Sequence, residues 1–388
     1  MTRINLPHAD GLAEVVAALD GAVRLVGGVV RDTLAGVPTK DIDLATPLLP
    51  DAVIDRLTKA GLKAVPTGLQ HGTVTAVAKG HPFEITTLRR DVATDGRHAT
   101  VAFTQDWQED AARRDFTINA LYADPVSGEL FDYFGGAEDL AAGRVRFIGA
   151  PLCRIAEDHL RILRFFRFTA RFGSGGPDPA SLDACRARAN DLMALSRERI
   201  AMELLAILAL PHPAPIIALM IDTGIFKPVL PEIADSTGLA RLHVREDDAG
   251  IAPDSIRRLS ALLPADPALA EDIANRLKLS NAQRKRMMAA AARSPADADD
   301  PRALAYWQGM EGALDRLLIG NGDVAPLKDW APPPCPVSGG QIVARGIQAG
   351  PEVARLLQAV ERQWVAEGFP DAARAQAIAD TLCAAAQA

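Results

Sequence analysis

The sequence predicts an α+β chain, with a mixed-sheet domain at its N-terminal end and a nearly all-helical remainder. Three observations carry this expectation. Short β-type runs broken by Gly, Pro and Asp are confined to about residues 20–150. Beyond about 154, Ala, Leu and Arg recur at helical spacing. Over 388 residues, the 48% apolar content suffices for packed cores in two or three domains and excludes disordered and fibrous classes.

The elements follow in order. AVRLV (22–26), DIDLA (41–45), TVTAVA (73–78), FEITTL (83–88), ELFDYF (129–134) and RVRFIG (144–149) read as strands, and the stretches near 29–35, 51–60 and 116–122 read as helices. The helical remainder is punctuated at GSGGPDP (173–179), PHPAP (211–215), SPADADDP (294–301) and APPPCP (331–336). No internal repeat occurs at a fixed period.

Charge and cysteine usage narrow the function. Forty-two basic against 49 acidic residues give a net charge of −7, so any nucleic-acid contact must come from a local patch. Residues 144–171 supply one, with seven arginines against Glu157 and Asp158. Cys153, Cys185, Cys335 and Cys383 have no C-x-x-C spacing, which suggests neither a disulfide framework nor a zinc site and fits a reducing compartment. The apolar runs Ile200–Leu210, broken by Glu203, and Ala214–Ile221 fall short of the ~18–20 residues that span a bilayer. The N-terminal residues lack a basic-then-apolar signal pattern, so a soluble cytoplasmic protein without membrane contact is expected.

The chemistry concentrates in short segments. In Leu25-Val26-Gly27-Gly28-Val29-Val30-Arg31-Asp32, two glycines join an apolar strand to a helix start. Such a turn lets backbone N–H groups approach a phosphate, although an ordinary tight turn would also use it. In Asp41-Ile42-Asp43, strand geometry would put both carboxylates on one face, with Ile42 and Leu44 packed behind. Like charges so placed call for a divalent cation, and hard oxygen ligands suit Mg²⁺. A glycine turn upstream of an Asp-x-Asp strand is what phosphoryl transfer to an alcohol requires. Glu84, on a β-type run, is either a third carboxylate beside that pair or an exposed strand glutamate.

Gly27-Gly28-x-x-Arg31-Asp32 followed by Asp41-x-Asp43 resembles the nucleotidyltransferase signature. With Arg113-Arg114-Asp115-Phe116-Thr117-Ile118-Asn119-Ala120-Leu121, it resembles class II tRNA nucleotidyltransferases (CCA-adding enzymes) and the related bacterial poly(A) polymerases. The resemblance implies a nucleotidyltransferase head over 1–143, a helical neck that selects the nucleotide over 144–212, and a helical body and tail that bind RNA over 213–388. It implies catalysis by Asp41, Asp43 and Glu84 with Mg²⁺ on the two aspartates, and nucleotide binding by Gly27, Gly28, Arg31, Asp32, Arg114, Asp115 and Asn119. It also implies a flexible loop ending in Asp95-Gly96-Arg97-His98.

Glu157-Asp158-x-x-Arg161-x-x-Arg164 resembles the family's amino-acid template for the incoming base. The i, i+3 and i, i+4 spacings would put Glu157, Asp158 and Arg161 on one helix face. A carboxylate acceptor beside a guanidinium donor matches the amino group and ring nitrogen of cytosine and adenine, and mismatches uracil and guanine by ~1–3 kcal/mol. Phe165, Phe166 and Phe168 read as helix core rather than base-stacking platforms. The expected activity is addition of CCA to tRNA 3′ ends from CTP and ATP, with poly(A) synthesis as the alternative.

Overall fold

A computed structural model describes all residues except 1, 7, 8, 40 and 95–98, and gives the backbone alone for 91–94 and 99–101. The chain divides into two units, Met1–Ala234 and Asp235–Ala388.

The first unit begins α1 (Leu12–Ala18), β1 (Arg24–Val26), α2 (Gly28–Leu34), β2 (Asp43–Thr46), α3 (Pro50–Lys59), β3 (Lys63–Gly68), β4 (Thr73–Ala78) and β5 (His81–Thr87). It continues through β6 (Arg89–Thr94), β7 (Ala99–Phe103), α4 (Trp107–Ala112), β8 (Leu121–Ala123) and β9 (Leu130–Asp132). Seven strands form one sheet in the order β3-β4-β5-β2-β1-β8-β9, while β6 and β7 pair as a separate ribbon. Only β2 and β5 run parallel within the large sheet, so it is mixed, as expected. TVTAVA shows why the strands form there: burial alternates residue by residue along β4, with Val74, Ala76 and Ala78 facing inward. Leu25, Leu44, Val74 and Ile85 from the sheet join Val15 and Leu57 from flanking helices in one core, with Ile42 partly buried against it. Truncating a core residue such as Leu44 to Ala would cost about 2–5 kcal/mol.

The unit ends in helices α5 (Gly136–Ala141), α6 (Pro151–Glu157), α7 (Arg161–Phe172), α8 (Pro179–Ala187), α9 (Arg197–Leu208) and α10 (Ala214–Asp222). Phe116 packs at 4.7 Å from Phe147 and 5.5 Å from Phe168, between ring centroids. Phe165, Phe166 and Phe168 are buried, which makes them core as expected.

Two expected elements differ. RVRFIG at 144–149 forms no strand, only an isolated bridge between Phe116 and Phe147. Its alternation serves to plant Val145 and Phe147 in the core without a neighbouring strand row. The helix expected near 116–122 is a three-residue 3-10 turn, Thr117–Asn119, followed by β8. Residues 116–123 are buried throughout, and such an apolar run suits a strand beside β1 as well as it suits a helix.

The second unit is helical: α11 (Thr237–Ala249), α12 (Ser255–Ala261), α13 (Pro267–Arg276), α14 (Asn281–Ala291), α15 (Pro301–Gly320), α16 (Gly339–Val343), α17 (Pro351–Ala366) and α18 (Ala372–Gln387). Side-chain caps from Asp254, Asp266, Ser280, Asp300 and Asp371 start five of them. Among the described residues, no helix of either unit is long and apolar enough to cross a membrane.

Candidate active site

The Gly27-Gly28 doublet turns the chain from β1 into α2, as its sequence position suggests. Gly27 takes φ 68°, and a Cβ there would lie 3.4 Å from Arg114 Nη1 and 3.5 Å from the Asn119 carbonyl. Those are ordinary contact distances, so it is the left-handed backbone conformation that requires glycine here. The turn opens a cleft of about 500 Å³, lined by Gly27, Gly28 and Asn119, the arginines Arg31, Arg89, Arg113, Arg114, Arg161 and Arg164, and the aspartates Asp43, Asp115 and Asp158. Six guanidiniums against three carboxylates leave excess positive charge, which suits a polyanionic ligand.

A continuous hydrogen-bonded relay runs from behind the cleft into its wall. Arg171 donates to Asp32 at 3.0 Å, and Asp32 accepts from Arg31 Nε at 2.8 Å. Arg31 Nη1 donates to Asn119 Oδ1 at 2.5 Å, and Asn119 Nδ2 donates to Asp115 Oδ1 at 3.0 Å. Asp115 Oδ2 accepts from Arg164 Nε at 2.7 Å. Burial works against the Asp115 carboxylate, yet Arg164, Asn119 and Arg161 hold its pKa below the usual range. Desolvation lowers the pKa of Arg31 in spite of the Asp32 carboxylate beside it.

The template segment differs from the expected single helix face. α6 stops at Glu157, Asp158 is extended at φ −152°, and α7 begins at Arg161. The Asp158 carboxylate instead accepts from the Leu160 backbone N–H at 3.1 Å and from Arg199 of α9 at 2.8 Å. Aspartate bonds readily to nearby backbone, which is why the helix breaks there. Arg161 is held separately, donating to Glu157 at 2.5 Å and to the carbonyls of Arg154 and Arg113 at 3.0 Å each. Asp158 and Arg161 both line the cleft, while Glu157 braces Arg161 outside its lining. Glu203, in the buried face of α9, accepts from Arg167 at 2.7 Å. The arginines of 144–171 are thus tied into ion pairs: Arg144 and Arg146 with Asp139, Arg154 with Glu157, Arg164 with Asp115, and Arg171 with Asp32.

The carboxylates occupy the cleft's edge. Asp41 precedes β2 rather than lying within it, so the expected strand alternation applies to Asp43 alone. Parallel register pairs Asp43 with Glu84 of β5, which brings the third carboxylate beside it on one face. Asp41, Asp43 and Glu84, with Asp10, line a second cleft of about 590 Å³. Asp41, Asp43 and Asp32 line a third of about 430 Å³ together with Gly28, Arg31 and Arg171. Asp43 borders all three clefts. Desolvation, then Glu84, and to a smaller degree Asp41, raise its pKa against the opposing pull of Arg114. This mutual repulsion among hard oxygen donors is what a divalent cation would relieve, so the donor set fits one. Among the described residues, no three His, Cys, Asp or Glu side chains converge closely enough to hold a metal ion without adjustment.

Asp95, Gly96, Arg97 and His98 lie outside the described residues. Asp110, Arg199 and Glu203 are not among the expected site residues; they pair with the cleft's Arg114, Asp158 and Arg164 respectively. Glu203 left a signal, a charge inside an apolar run that had to find a buried partner, and Arg199 lies in the Ser196-Arg197-Glu198-Arg199 segment, which reads as a helix start; Asp110 left none.

A mixed sheet carrying a Gly-Gly turn beside paired carboxylates, under an arginine-lined cleft, defines a nucleotidyltransferase head. Residues 23–146 match the family model described as the poly A polymerase head domain, and residues 177–237 match the one described as a probable RNA and SrmB-binding site of polymerase A. The mouse protein named CCA tRNA nucleotidyltransferase 1, mitochondrial, is 37% identical over 92% of this chain and 86% of its own length. The human protein of the same name is 38% identical over the same shares. The crystal structure of the Bacillus stearothermophilus CCA-adding enzyme in complex with CTP superposes with a TM-score of 0.72 at 28% identity, covering 91% of this chain and 92% of that one. The chain belongs to the CCA-adding tRNA nucleotidyltransferase family.

Proposed function

We infer that the chain is a template-independent RNA nucleotidyltransferase that builds or repairs the 3′-terminal CCA of tRNA from CTP and ATP, releasing pyrophosphate. The observation that carries this is the cleft in which Asp158 and Arg161, each oriented by its own partners, open onto the same space as Arg31, Arg114 and Asp43. A base edge and a triphosphate need such a pairing of features.

In this reading, Gly27, Gly28, Arg31 and Arg114 face the triphosphate, with Asp32 orienting Arg31, and Asp115 and Asn119 face the ribose. Asp158 accepts from the exocyclic amino group of C or A, and Arg161 donates to the neighbouring ring nitrogen. Glu157 braces Arg161, and Arg164, bound to Asp115, faces the nucleotide from the same cleft. Asp41 and Asp43 would hold the divalent cation, with Glu84 beside them. Mg²⁺ is the cation we assign because it favours hard oxygen ligands and accepts phosphate oxygens, and when bound it neutralises charge at the α-phosphate and acidifies the attacking hydroxyl. The tRNA 3′-oxygen forms its bond to the α-phosphorus as the bond to the pyrophosphate oxygen breaks. The cleft arginines stabilise the charge that collects on the departing group.

We further assign residues 1–143 as the catalytic head, 144–212 as the selecting neck and 213–388 as the RNA-binding body and tail, acting in the cytoplasm. An extension assay tests the function: tRNA transcripts ending before CCA, after C and after CC receive CTP, ATP or both with Mg²⁺. Ordered addition of C, C and A with a hard stop supports the proposal, and long A tails on unrelated RNA would replace it with poly(A) synthesis.

A further inference from the structure

Asp110 of α4 is almost fully buried at 1% exposure and does not line the cleft, so it cannot touch a nucleotide. Each of its oxygens is nevertheless committed to groups that shape the cleft. Oδ1 accepts from Arg113 Nε at 2.9 Å and from the Arg89 backbone N–H at 3.1 Å. Oδ2 accepts from Arg114 Nη2 at 3.0 Å and from the Tyr122 hydroxyl at 2.7 Å. Tyr122 in turn accepts from Arg114 Nε at 3.2 Å, which fixes that guanidinium on two sides.

The three residues held by Oδ1 and Oδ2 through Arg contacts, Arg89, Arg113 and Arg114, all line the cleft. Arg89 opens the β6–β7 ribbon, so the base of that ribbon is pinned to the same carboxylate. The Arg113 carbonyl accepts from Arg161, so Asp110 also stands one residue's length behind the base-reading side chain.

We propose that Asp110 is the positioning residue of the nucleotide cleft: a buried carboxylate clamp that sets Arg113 and Arg114, and through Arg113 the seat of Arg161. It rests on the function inferred above and deepens it by naming what orients the cleft's arginines. Two features favour positioning over a role in stability alone. The four donors converge from α4's own C-terminal flank, from β6 and from β8, and three of the four belong to cleft-lining residues. Burial alone would raise the carboxyl's pKa, but Arg114, Arg113 and the Tyr122 hydroxyl bring it down to about 2, so the clamp is charged at any working pH.

The test uses Asp110→Asn in the full chain. Asparagine keeps the shape but replaces one acceptor with an NH₂ that must face donors, which frees one arginine from its setting. Calorimetric CTP and ATP affinity, KM and kcat for addition to tRNA, and the thermal midpoint are measured beside wild type. The expected result is a loss of roughly tenfold in affinity and a matching rise in KM for both nucleotides, together with a fall in kcat at saturation, since Arg114 also faces the departing group. Unchanged affinity and KM, with any loss of activity tracking the loss of folded protein, would overturn the proposal. If Asp110→Asn does not fold, Tyr122→Phe keeps the ion pairs and removes only the hydroxyl's two bonds. Its affinity for CTP is then expected to fall about threefold, and no change would overturn the proposal equally. Because affinity is read directly, a wild-type chain that binds CTP but fails to extend tRNA would refute the inferred function while leaving the clamp still testable.

Discussion

Two arginine–carboxylate networks, one in each unit, use the same chemistry to opposite ends. In the second unit, Arg257 bridges Asp315 and Glu246 at 2.8 Å each, Arg258 joins Glu246 at 2.8 Å, and Arg286 closes on Asp315 at 2.6 Å. Side-chain exposure there is 1% for Glu246 and Arg258 and 0% for Asp315, so these three charges spend their capacity on protein partners. In the first unit, the relay around Asp115 and Asp158 leaves Arg164 and Asp158 about 30% exposed on a cleft. A closed network fixes structure, whereas one with an open side presents oriented charge to a ligand.

The largest effect should separate the carboxylate edge from both networks. Asp43→Asn is expected to lower nucleotide addition by about a thousandfold or more, because a neutral side chain no longer attracts a divalent cation. CTP affinity without added cation should change little, and calorimetry beside a single-turnover assay checks both halves. Retained addition would contradict the role assigned to Asp43.

Next comes the closed network. Asp315→Ala strands Arg257 and Arg286, and should cost about 3–5 kcal/mol of unfolding free energy in denaturant titrations. CTP affinity should stay at the wild-type value, since none of these residues lines the cleft. A loss of CTP binding at full folding would erase the distinction drawn between the networks.

The clamp behind the open network should show a smaller, pH-dependent effect. Asp110 has a folded-state pKa near 2, lowered from its ordinary value. A depressed carboxylate stabilises the fold above its unfolded pKa, and that contribution is lost as pH falls from about 4 towards 2. The difference is on the order of 2 kcal/mol, and acid-unfolding curves of wild type and Asp110→Asn should converge at the low end.

Much of the fold was legible in the sequence because its signals are local. Period-two alternation marks β4 and β5, and Gly27-Gly28 marks the turn into α2. The Asp-x-Asp segment pointed to the carboxylate edge, and the arginine-rich motif around Arg114 pointed to the cleft. What stayed hidden depends on pairing across the chain. The Asp43–Glu84 register exists only once β2 and β5 lie parallel, and Asp158 finds Arg199 41 residues away instead of Arg161 on its own segment. A spacing rule for helices fails where a single aspartate prefers to bond the backbone ahead of it. Asp110 gave no sign of its role, since one of two adjacent acids in a short helix looks like an ordinary surface charge until its four donors are in place.

The most direct test of the account asks whether the open network reads the base. Wild type and Asp158→Ala are given tRNA ending before CCA with each of the four nucleoside triphosphates in pairwise competition, and products are resolved to single nucleotides. Wild type should take C and then A while rejecting U and G. Asp158→Ala should lose ~1–3 kcal/mol of that discrimination, a shift of roughly 5- to 150-fold in the ratio of kcat/KM values. Undiminished rejection of U and G by the variant would contradict the assignment of nucleotide choice to this cleft.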